Sequence, residues 1–96
     1  MCRMFAVLIE LDVSGVDREQ GLSLLREHIV PAVRQLAGFR AGTWLTGNDD
    51  GKGMSLTVWG SEAAARGMIN QFGPDSDSPV AASITRCELR EVAAIA

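Results

Sequence analysis

The residues best suited to chemistry in this chain are its two tryptophans, Trp44 and Trp59, each set among small side chains. In "TVWGSEAAARGM", Thr57–Met68, Trp59 ends a strand and the helix behind it is mostly alanine. Alternation puts Ser55, Thr57 and Trp59 on one strand face, and the helix turns Ala64, Ala65, Met68 and Phe72 inward, with Gly67 close by. Small groups facing small groups allow two outcomes. Either the helix packs unusually close, or space remains for a ligand, since protein interiors are otherwise filled to crystal-like density. With space, Trp59 is a pocket wall beside Thr57 and Met68, offering an aromatic ligand a flat surface and one N–H donor. Without it, Trp59 is core and the Ser/Thr face lines a subunit interface. Trp44 shares its strand face with Arg40 and Gly42. Its ring either covers the glycine or forms a second wall, with Arg40 steadying an anionic substrate or enolate oxygen. His28, the one histidine, falls at the edge of a helix's apolar stripe. It is a solvated residue or a general base toward an acidic phenol or enol proton.

Other chemistries find no support. The loop "GNDDGKG", Gly47–Gly53, has two Asp but not the further ligands of a calcium loop. Cys2 and Cys87 match no metal or redox spacing, and Cys87 reads as a small buried hydrophobe in an alternating strand. There is no glycine-rich phosphate motif and no Ser/His/Asp set. The net charge is −3 and the nine basic residues are scattered, so neither nucleic acid nor an anionic membrane is an expected partner. The apolar run Phe5–Ile9 is too short for a signal peptide. Nothing approaches the ~18 apolar residues of a membrane span. The expectation is a soluble, cytoplasmic protein.

These residues need elements to hold them, and 96 residues make one domain, 1–96. The strand Met4–Val13 is apolar on both faces, so both faces want cover. A helix opens at Asp17, with Gln20 at capping-box spacing, and lines up Leu22, Leu25, Ile29, Ala32, Val33 and Leu36 to end near Gly38. Pro31 predicts a kink within it. Strands follow at Phe39–Thr46 and Met54–Trp59 around a hairpin tip, then a helix capped by Ser61 and running to about Phe72. The loop "GPDSDSP", Gly73–Pro79, leads to a last strand, Ser83–Val92, alternating Thr85, Cys87 and Leu89 with Arg86, Glu88 and Arg90. The terminal "AAIA" extends that strand or frays. The order βαββαβ predicts a ferredoxin-like α+β fold: an antiparallel four-stranded sheet with two helices on one face. The uncovered face, together with the 47% hydrophobic content, predicts a homodimer.

With these elements the chain resembles the dimeric α+β barrel superfamily, and within it the antibiotic-biosynthesis-monooxygenase-type domains. The likeness runs over roughly Met4–Val92 and rests on "AGFRAGTW" after the first helix, "VWGSEAA" at the third strand's end and the alternating last strand. It implies two sheets packed into a dimeric barrel. It also implies cofactor-independent oxygenation of a small aromatic or quinol-type molecule, with no cofactor held. From the aromatic-polyketide oxygenases of that superfamily Trp59 carries over; their Tyr has no counterpart, as the chain has no Tyr. Asn70 would offer an amide to a substrate carbonyl, and Arg86 a cation near the pocket, although its alternation with Glu88 and Arg90 also suits ion pairing. The haem-degrading relatives carry a ligating His on or after the second helix and an Asn near the first strand's end. Here 61–82 has no His and the strand ends in Glu10, Leu11 and Asp12, so haem degradation is disfavoured. The rival expectation is a non-catalytic dimeric domain that binds a small molecule or serves assembly.

Overall fold

Alternation over Phe5–Asp12 builds β1, which sends Phe5, Val7 and Ile9 inward and leaves Ala6, Leu8 and Glu10 on the other side. This is seen in the computed structural model, which describes residues 3–96; Cys2 lies outside them. Asp17 caps α1 (Arg18–Leu24) by accepting from the Gln20 N–H. The helical run continues through a π-helical segment (Leu25–Ile29) into α2 (Val30–Arg34). Pro31 offers no N–H and crowds the preceding turn, and the wider π turn, in which the Val30 N–H reaches the Leu25 carbonyl, takes up that conflict. The extra residue per turn also shifts the apolar stripe: Val33 is buried, while Ala32, expected on the stripe, is exposed.

β2 (Phe39–Leu45) and β3 (Lys52–Trp59) form the hairpin, whose tip is tied by the Asn48 Oδ1 atom accepting from the Asp50 and Lys52 N–H groups. Ser61 caps α3 (Glu62–Phe72), and a short 3-10 turn (Ala81–Ser83) leads into β4 (Ile84–Glu91). A register shift near Glu10 and Leu11 sends Ile84 inward and leaves Thr85 outside, its hydroxyl donating to the Glu10 carboxylate at 2.7 Å. Past β4, the Val92 N–H still reaches the Met4 carbonyl, and no strand follows.

The sheet order is β2-β3-β1-β4, all antiparallel, which is the ferredoxin-like α+β arrangement. The barrel implied by the sequence resemblance is corrected here. The chain's four strands form an open sheet with β2 and β4 at opposite edges, not a closed one. Closure would require the edge strands to pair, and two other strands separate them.

One sheet face carries the core, Phe5, Val7, Ile9, Val33, Trp59, Ala65 and Met68. The other has no cover from this chain: Leu45 and Leu56 are 57% and 45% exposed, beside half-buried Ala6, Leu8, Met54 and Val58. Its β4 side is an ionic strip in which Glu88 bonds both Arg86 and Arg90.

Candidate functional site

The layer between sheet and helices is filled at one end and hollow at the other. At the filled end, α3 comes in close because small residues meet. A β-carbon on Gly38 would lie 2.5 Å from the Ala64 β-carbon. Gly38 holds φ +83°, open to glycine at little cost, and its carbonyl accepts from the Gly60 N–H at 2.8 Å. Trp59 is fully buried there, its ring edge-on to Phe39 with centroids 5.5 Å apart. Its indole N–H donates to the Thr57 hydroxyl at 2.9 Å, and Thr57 is itself fully buried. Neither residue is in the lining of the two cavities described below. The pocket-wall reading of Trp59 is therefore corrected to core, with its one polar atom satisfied inside the strand. Gly67, expected beside that wall, faces open space.

At the other end a cavity of about 640 Å³ opens between the sheet and the helices. Its sheet wall includes Ile9, Leu11, Trp44 and Ser55; its helical wall includes Leu25 and Ile29 of the π segment and Met68 of α3. Trp44 is held there by its strand. Its ring folds over Gly42, where an added β-carbon would lie 2.7 Å from it. The ring thus covers the glycine and also lines this cavity, which Trp59 and Arg40 do not share. The charged residues that touch this cavity, Asp12, Asp17, Arg18 and Arg26, are all exposed and belong to its mouth. Asp12 accepts from the Ser14 hydroxyl and N–H, which hold its carboxyl below the usual range. It is a poor proton acceptor as a result.

The remaining candidates do not converge on this cavity. His28 is exposed and is in the lining of neither this cavity nor the smaller one. Arg40 is exposed at a register shift of β2, its guanidinium packed over Gly60. Asn70 is exposed at a second, smaller cavity of about 370 Å³ with Cys87 and Asp75. Burial raises the Cys87 thiol above its ordinary value, which suits an inert packing role. Arg86 points to the opposite sheet face, paired to Glu88. Of the eight residues singled out, Trp44 and Met68 line the larger cavity. Ser55 joins them; its alternation with Thr57 and Trp59 placed it on this face, but only the pairing with Trp44 shows that it faces the hollow end. Among the described residues no group of three or more His, Cys, Asp or Glu could hold a metal ion, and no helix is long and apolar enough to cross a membrane.

The fold, a four-stranded antiparallel sheet with helices on one face, is shared with solved structures. No family model matches the chain and no curated protein matches it. A protein of unknown function from Nitrosomonas europaea superposes with a TM-score of 0.72 at 16% identity, over 99% of this chain and 94% of that one. The haem-degrading protein Rv3592 of Mycobacterium tuberculosis gives 0.64 at 16% identity, over 97% and 98%. SnoaB, a cofactor-independent oxygenase from Streptomyces nogalater, gives 0.61 at 15%, over 100% and 96%. Identities this low establish likeness of fold alone. The monooxygenase-type family placement drawn from the sequence is corrected accordingly: the chain shares a fold with such proteins, and its own sheet is open.

Proposed function

We propose that the protein takes a small, flat, apolar molecule of aromatic or quinol type into the Trp44 cavity and oxygenates it without a cofactor. The observation that carries this is the cavity: about 640 Å³, lined mostly by apolar side chains with Trp44 and Phe72 among them, and with its charges at the mouth. Ligand sites of small molecules have this size and lining. The oxygenase part draws support from the fold shared with SnoaB. Without an internal base, the substrate must be acidic enough to enter as its own anion. The apolar walls then shield the part of the ring laid against them from water. Its attack on O₂ turns one C–H carbon into a carbonyl; one oxygen atom stays there and the other leaves as water. The second reading, a binding domain without catalysis, is favoured by the same absence of a titratable group inside the described cavity.

The exposed apolar sheet face supports a homodimer with a second copy over Leu45 and Leu56. Light scattering should give twice the chain mass at micromolar concentration; a monomer there overturns the dimer.

Naphthol in an oxygen electrode tests the activity. The expected result is O₂ uptake with a quinone product and a rate that rises through the pKa of the naphthol, not that of any protein group. Binding without uptake selects the second reading, and no binding at millimolar naphthol removes both.

A further inference from the structure

Ser55 is buried without being used. It is 4% exposed and sits within β3, paired with Ile9 on one side and Trp44 on the other. Its hydroxyl has no hydrogen-bond partner among the described residues. Yet no fully buried side-chain polar atom among them lacks one. The Ser55 oxygen must therefore open onto the cavity it lines. Thr57, two residues along the same face, is the contrast: its hydroxyl accepts from the Trp59 indole and is spent within the fold. Reached from the cavity and not spent on the fold, the Ser55 hydroxyl is free to bond water or an oxygen of an occupant.

We propose that Ser55 is the polar recognition point of this cavity. It binds one oxygen, hydroxyl or carbonyl, at the buried end of an otherwise apolar ligand whose ring lies along Trp44. This rests on the cavity-binding reading above and adds the ligand's polarity pattern to it. A serine hydroxyl can donate to a carbonyl or phenolate oxygen and accept from a phenol O–H, so both states of a quinol-type molecule fit. A carboxylate or phosphate at that end does not fit. The cavity's charged residues stand at its mouth, and a charge confined to such a group's own oxygens is strongly disfavoured when buried unpaired, whereas a phenolate spreads its charge into the ring.

Naphthol and naphthalene, one ring system with and without the oxygen, test the assignment by ligand-observed titration. Wild type should prefer naphthol by about 3- to 10-fold, the net effect of one neutral hydrogen bond. Ser55→Ala should lose the preference while holding naphthalene within about twofold of wild type. Without ligand it should melt no lower than wild type, because the lost hydroxyl bonds no other protein group. A preference that survives in Ser55→Ala, or an equal loss for both probes, overturns the role of Ser55 and leaves the cavity reading standing. Failure of both probes to bind wild type removes the cavity reading and this assignment together.

Discussion

Trp59 and Trp44 sit on the same side of the same sheet and are used in opposite ways. Trp59 meets a helix made close by Ala64, Ala65 and the glycine turn at Gly38, and its N–H is satisfied two residues away. Trp44 lies on an edge strand, folded over Gly42, and its outer surface meets the cavity. Small residues alone do not make a pocket. Where the backbones can approach, as at Gly38 and Ala64, small residues close the gap. Where the π segment faces Trp44 and Ser55, a cavity remains.

The largest separation of the two ends should come from truncating each indole. Trp59→Ala should lose about 3–5 kcal/mol in urea unfolding, a large share of a small domain's stability. Trp44→Ala should lose about 1–2 kcal/mol but weaken naphthol binding at least about tenfold. Equal stability losses with unchanged binding would erase the distinction.

Gly38→Ala probes the closed end through its backbone. The new β-carbon meets Ala64 at 2.5 Å in a left-handed conformation, so about 2–4 kcal/mol should be lost with naphthol affinity unchanged in the folded fraction. A neutral effect in thermal melts would show that the close approach is not needed. A subtler cut is Thr57→Val, which keeps the shape and orphans the Trp59 indole N–H. It should cost about 1–3 kcal/mol, read by the same urea unfolding. No loss would mean that the indole finds another acceptor.

How much of this was legible in the sequence follows the range of each signal. Alternation and capping are local, so the strands, the Ser61 and Asp17 caps and the βαββαβ order could be read directly. The face shared by Ser55, Thr57 and Trp59 was legible too. Which end of that face is hollow was not, because it depends on how far the first helix stands from the sheet. The π segment before Pro31 carries Leu25 and Ile29 to the cavity, and a proline signals a disturbed helix without giving its form. His28, Arg40, Asn70 and Arg86 were chosen by chemical type, and chemical type does not place a side chain in a cavity. The two-sheet barrel is what the resemblance implies; the chain's own four strands form an open sheet.

Only Trp44 and Trp59 carry indole N–H groups, so an amide correlation spectrum of the ¹⁵N-labelled protein shows two indole signals. Titration with naphthol reads both ends of the layer in one experiment. The Trp44 signal should shift in a saturable way, while the Trp59 signal stays in place and keeps slow exchange with deuterated solvent. A shift confined to Trp59, or rapid exchange of its N–H, would contradict the assignment of Trp59 to core and Trp44 to the ligand wall.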